Sequence, residues 1–224
     1  MSEYKKLDAD EFRSNPYIKS VNVPTAKVGD FTLTTAAYEP GELLEYDMPD
    51  LTKNPIEHRV GYFTEKVEFP GIYEGIIPWM SVCPSEINSM ARHIDKAHGR
   101  VLVLGLGLGY YLYMSSMKPE VESVDVVECQ PEIIKLFDEN LLPQFPFREK
   151  IRIIEADAFS YIGGLRGDEY DFCFADIWQN EIDGAWAYRK IRDTEEQLED
   201  IEFAYWIDDA IKWYLRNNGN HVGL

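Results

Sequence analysis

Cysteine, histidine and basic side chains are all scarce in this chain of 224 residues. Its three cysteines, Cys83, Cys129 and Cys173, lie far apart and show no C-x-x-C spacing, which argues against a disulfide framework or a zinc site. The four histidines, His58, His93, His98 and His221, show no metal-ligand arrangement either, so no metal is assigned. Only 22 Lys and Arg stand against 40 Asp and Glu, a formal charge of −18 that repels phosphate backbones and anionic membrane surfaces. Nucleic acid and membrane are therefore not expected as partners. No apolar run approaches the roughly 18 residues needed to span a bilayer. The N-terminus, Met1-Ser2-Glu3-Tyr4-Lys5-Lys6, has no apolar segment of the kind a secretory signal needs. A cytoplasmic protein is expected.

What the chain does have is Val101-Leu102-Val103-Leu104-Gly105-Leu106-Gly107-Leu108-Gly109-Tyr110. The apolar run reads as a strand buried on both faces, and the three glycines allow a sharp turn with close approach to a ligand. A helix follows from Tyr110 to Met117, so backbone amides at its start would face whatever binds there. A nucleotide-like cofactor is the expected ligand. The G-x-G-x-G form departs from a G-x-G-x-x-G dinucleotide fingerprint, which would place glycine at Tyr110, and this lowers the nicotinamide reading.

Residues 1 to about 30 read as irregular, with turns at Asn15-Pro16 and Val23-Pro24. Strands are predicted over Phe31 to Tyr38 and Val60 to Val67, with Pro40-Gly41 and Pro70-Gly71 as breakers. Residues 1–75 thus form a small β-rich unit, and 76–224 a second unit built on the glycine turn. Pro84 and Ser85 open a helix to about Ala97, with Ile87, Met90, Ala91 and Ile94 on its buried face and Gly99 as its stop. Further strands are predicted at Ser123 to Glu128, Ile151 to Ala156 and Tyr170 to Ala175, with helices after Pro131 and Asp157. This alternation argues for an α/β fold with a parallel sheet and ligands beyond the carboxyl ends of its strands, where Glu128, Asp157 and Asp176 lie. Ile177 to Asp193 reads as a loop. A long helix follows, opened by a Thr194/Gln197 capping box and striped by Phe203, Ile207, Ala210, Ile211 and Tyr214. Asn220 to Leu224 would begin a fifth strand.

Glu128, about 20 residues past the glycines, sits where a carboxylate can accept hydrogen bonds from both ribose hydroxyls. Asp157 fits a helix cap as well as a ligand contact, and Asp176 a cap or a reacting-centre acid. Trp178, Trp186 and Tyr188 suit a substrate wall or plain packing equally. For Trp79 and Met80, core packing is favoured over a cap on the cofactor mouth.

VLVLGLGLGYY, VDVVECQPEII, IRIIEADAF and YDFCFADIW, within residues 76–176, resemble the class I S-adenosylmethionine-dependent methyltransferases, and among them the spermidine synthase-like group. The resemblance implies a Rossmann-like sheet, C-terminally shortened, and S-adenosylmethionine as cofactor. It places the turn of Gly105, Leu106, Gly107 and Gly109 under the methionine and ribose, Glu128 at the ribose hydroxyls, Asp157 with Ala158 at the adenine, and Cys129 and Asp176 among the cofactor-binding residues. Asp176 would face the reacting centre as catalytic residue. Spermidine synthases carry D-[ST]-[ST]-D-P where this chain has Asp176-Ile177-Trp178-Gln179-Asn180, so Gln179 replaces the second acid and counts against aminopropyl transfer to putrescine. Methyl transfer to a small-molecule acceptor is the leading expectation. An aminopropyltransferase and a non-catalytic S-adenosylmethionine-binding protein are the alternatives. An unpaired sheet edge in a shortened fold predicts a homodimer.

Overall fold

The computed structural model describes residues 4–218. The N-terminal part runs β1 (Lys5–Lys6), α1 (Ala9–Ser14), α2 (Pro16–Ser20), β2 (Ala26–Val28), β3 (Phe31–Tyr38), β4 (Leu43–Glu45), β5 (Val60–Tyr62), β6 (Val67–Glu74) and β7 (Ile77–Ser81). Strands β2-β3-β6-β7 form a four-stranded antiparallel sheet, and β1-β5-β4 a small one of three strands. The chain continues through α3 (Pro84–Lys96), β8 (Gly99–Leu104), α4 (Tyr110–Ser116), β9 (Val121–Glu128), α5 (Pro131–Asn140), β10 (Ile151–Glu155), α6 (Ala158–Ile162), β11 (Phe172–Ala175), α7 (Glu181–Glu195), β12 (Glu202–Tyr205) and α8 (Asp208–Asn218).

Strands β10-β9-β8-β11-β12 make one five-stranded sheet in which every pairing is parallel. The sheet grows from β8 outward in both directions, so the order reverses between β8 and β11. This is the doubly wound, Rossmann-like α/β arrangement, and its reversal point opens a crevice beyond the strand ends. Val101, Leu102, Val103 and Leu104 in β8 are all buried, as a central strand covered on both faces requires.

Several sequence expectations change. Within residues 4–30 the irregular stretch holds two helices, because Asp8 caps α1 through Asp10 N–H and Glu11 N–H, and Asn15 caps α2 through Tyr17 N–H and Ile18 N–H. The stretch Val60 to Val67 is not one strand: it holds the whole of β5 and the first residue of β6. Pro70-Gly71 does not break β6: Pro70 pairs with Thr35, and its carbonyl accepts from Val82 N–H on the other side. The missing proline N–H therefore falls where β7 has already ended, outside the β3 ladder. On α3 the buried positions are Pro84, Ser89, Met90, His93 and Ile94, while Ala91 is exposed, and Gly99 opens β8 instead of stopping the helix.

The largest change lies after β11. The expected loop holds α7, whose cap Asn180 accepts from Ile182 and Asp183 N–H while Asp183 reaches back to the Asn180 N–H. Thr194 sits in its last turn, with its hydroxyl directed at the Lys190 carbonyl, so it caps nothing. The expected long helix is instead β12 followed by α8, and Phe203 belongs to the strand. The fifth strand is thus β12; Asn220 to Leu224 lie outside the described residues.

Candidate functional site

At the reversal point, the glycine turn is shaped by its protein neighbours. A Cβ on Gly105 would stand 2.0 Å from the Asp176 backbone oxygen, one on Gly107 1.8 Å from Met80 Sδ, and one on Gly109 2.2 Å from Phe137. Close approach to a backbone atom requires glycine at Gly105, while at Gly107 and Gly109 the neighbours are side chains and the left-handed φ of 50° and 71° adds to the demand. The turn's amides are also engaged: Gly105 N–H donates to the Val127 carbonyl (2.9 Å), Leu106 N–H to Glu128 Oε2 (3.1 Å) and Leu108 N–H to Met80 Sδ (3.1 Å). From below, the buried Tyr17 donates its hydroxyl to the Leu108 carbonyl (2.7 Å), and Asn15 donates to the Tyr110 hydroxyl (3.0 Å). The turn is preorganised by the N-terminal helices as well as by its own sheet.

The strand-end acids play different parts. Glu128 accepts from Leu106 N–H and, through Oε1, from Cys129 N–H (2.8 Å) and Gln130 N–H (2.9 Å). A carboxylate offers about four acceptor positions, so one is left for a ligand hydroxyl. Cys129 is exposed, and its thiol is pushed up by partial burial and then by the Glu128 charge. Asp157 caps α6, accepting from Ser160 N–H and Ser160 Oγ–H at 2.8 Å each, and these bonds hold its carboxyl below the ordinary range. Ala158 is buried beneath it.

Asp176 is bound to the reversal point, its N–H donating to the Leu104 carbonyl (2.9 Å). Its carboxyl accepts no hydrogen bond among the described residues, and desolvation raises it to about 7. Beside it stands Glu86, in the first turn of α3, raised to about 8 by desolvation and then by Asp176. Two carboxyls in one desolvated place cannot both ionise freely, so the pair holds protons near neutral pH. The sequence gives no sign of this partnership beyond an acid in the first turn after Pro84. Only the fold brings α3 under the end of β11.

Two adjoining cavities open on this side. The inner one, about 310 Å³, is lined by Glu86, Gln179, Asn180, Glu181, Trp206 and Trp213 among others; the outer, about 470 Å³, lies between the 47–52 loop, Arg92 and α8. Ile207 lines both and holds a left-handed backbone at φ 46°, a strained state for a β-branched residue. The candidate aromatic wall separates into three. Trp178 is buried against Gly184, Tyr188 packs on Tyr205, and Trp186 lies exposed against Phe159 with Lys190 over both rings. Trp79 stands edge-on to Phe31, while its neighbour Met80 covers the glycine turn.

No protein-family model and no curated protein matches this chain. Among solved structures it is similar to a spermidine synthase from Thermotoga maritima, with 13% identity and a TM-score of 0.46 over 71% of this chain. The matched part spans 60% of that protein's length. The Rossmann-like fold of the present chain rests on its own sheet order. No helix among the described residues is long and apolar enough to cross a membrane.

Proposed function

We propose that this chain is an S-adenosylmethionine-dependent methyltransferase for a small-molecule acceptor. The observation that carries the reading is the contact between Gly105 and Asp176 at the reversal point, with Glu128 tied to the same turn. The residues fit such a cofactor in part: Glu128 keeps an acceptor position and Asp157 with Ala158 borders the next strand end, but the Met80 thioether lies over Gly107 and has to yield. When bound, the cofactor would supply a methyl group on a sulfonium. The chain's part is then alignment, because in-line displacement depends on holding donor and acceptor in register. Asp176 would orient an amine or hydroxyl and accept its proton, a role suited to a carboxyl near 7.

Calorimetric titration with S-adenosylmethionine and S-adenosylhomocysteine tests this. Binding of both is expected, and no heat from either at millimolar concentration would sink it. A second reading, aminopropyl transfer, gains from one observation: Glu86 supplies a second carboxyl beside Asp176 although Gln179 does not. Turnover with decarboxylated S-adenosylmethionine and a diamine would decide for it. Tight cofactor binding without transfer to any acceptor would favour the non-catalytic alternative. The same proposal places the chain in the cytoplasm, in keeping with three free thiols. It also makes the chain a homodimer, supported by the edge strand β7 beside the exposed Ile76 and Ile77. Sedimentation at high concentration showing only monomer would remove that last element.

A further inference from the structure

Strand β7 lies at the edge of its sheet, and the turn that joins it to β6 is exposed from Glu74 to Pro78. Past the turn the ladder slips: Tyr73 faces Pro78 and Ile72 faces Met80, so Trp79 is an extra residue without a partner on β6. A bulge of this kind breaks the alternation of a strand and re-aims the side chains beside it. Here the chain neighbours Trp79 and Met80 pack onto the same apolar core, Trp79 against Phe31 and Met80 over the glycine turn.

Met80 occupies a seat in that turn. Its Sδ accepts from Leu108 N–H (3.1 Å) and lies where a single carbon added to Gly107 would be 1.8 Å away. A thioether is a weak acceptor, so a ligand carboxylate or hydroxyl would satisfy the Leu108 amide better. Withdrawal of Met80 therefore opens the space over Gly107 and frees a donor in the same movement. The side chain has somewhere to go, because Met80 is half-buried and its strand is laddered on one side.

We propose that Met80 is an autoinhibitory plug of the glycine turn, carried by the β6–β7 hairpin, and that the cofactor binds when the thioether has left Gly107 towards solvent. The identity of the ligand rests on the S-adenosylmethionine reading above; the plug rests on the contacts with Gly107 and Leu108. Since the unplugged fraction alone is competent, apparent affinity falls by that fraction, and the turn admits ligands that gain more from it than the thioether does.

Hydrogen peroxide reports the position of the thioether in the unaltered full chain, because it transfers one oxygen to an accessible sulfur and leaves the sulfoxide and water. The chain is exposed briefly to peroxide in excess over all thioethers, with and without saturating S-adenosylhomocysteine, and each methionine is scored by peptide mass spectrometry. Met80 is expected to oxidise about threefold or more faster with the ligand, measured against the exposed Met117, while the buried Met90 keeps its rate. Calorimetry on the parent and on Met80→Ala establishes the binding itself. Binding with unchanged or slower oxidation of Met80 would overturn the plug and leave the cofactor reading standing, as would an equal rise at Met90, the mark of general loosening. Binding to Met80→Ala alone would uphold the plug as a complete block. No heat from S-adenosylhomocysteine with either chain would overturn the cofactor reading and the plug with it.

Discussion

Replacing Gly105 by alanine should be among the most damaging small changes in the molecule. At φ 97° an alanine is strained by roughly 1–3 kcal/mol. Its Cβ would also fall 2.0 Å from the Asp176 carbonyl oxygen, a backbone atom fixed by β11 that cannot rotate away. Forced overlap in a packed interior adds about 1–3 kcal/mol, for a total of roughly 2–6 kcal/mol. Gly41 provides the control, since its φ of 83° carries similar strain but nothing lies within 4 Å of an added Cβ. Gly41→Ala should therefore lose only about 1–3 kcal/mol. At about 2–4 °C per kcal/mol for a chain of this size, the two variants should differ in Tm by several degrees. Urea unfolding followed by circular dichroism gives the free energies directly. If Gly105→Ala loses no more stability than Gly41→Ala, the close approach of the turn to Asp176 is not what requires the glycine.

Glu128→Ala removes the acceptor for three backbone N–H groups, so it should lower stability by about 2 kcal/mol or more and weaken S-adenosylhomocysteine at least about tenfold; unchanged affinity would take Glu128 out of the site. Met80→Ala should tighten S-adenosylhomocysteine by about threefold or more, because the thioether no longer has to leave Gly107; equal or weaker binding would show that Met80 does not obstruct it. Glu86 and Asp176 are raised in the folded chain, so from about pH 4 to about pH 8 the folded state holds more protons than the unfolded, and these groups make stability fall as pH rises. Urea midpoints should accordingly decline less between pH 5 and pH 8 in Glu86→Gln than in the parent chain, and parallel declines would refute the assignment.

From the glycine turn to β11 the elements follow the sequence closely, because strong apolar strands alternate with helices that carry clear apolar faces. Glu128, Asp157 and Asp176 stand at strand ends for the same reason. After β11 the signal fails. The buried face of α7 includes Gly184, Ala185 and Ala187, residues too small to give a helical stripe any contrast. β12 is four residues long, with Glu202 exposed and Phe203 half-buried, which leaves little alternation to read. In residues 1–30 two short helices depend on the side-chain caps Asp8 and Asn15 and on docking, not on periodicity. Glu86 was illegible as a site residue for a different reason. Its partner, Asp176, belongs to another element, and nothing local announces such a pairing; Met80 was readable as a cap on the cofactor mouth, but not its seat on Gly107.

The hydroxyl of Tyr17 and the carbonyl of Leu108, joined beneath the glycine turn, also set an order of events during synthesis. They are 91 residues apart. A ribosome adding about 5–20 residues per second delivers Leu108 on the order of ten seconds after Tyr17. For that interval α2 has no socket for its aromatic ring, and the floor of the turn does not exist. The nascent N-terminus is therefore a waiting part, open to chaperones and proteases until β8 and α4 emerge to close over it.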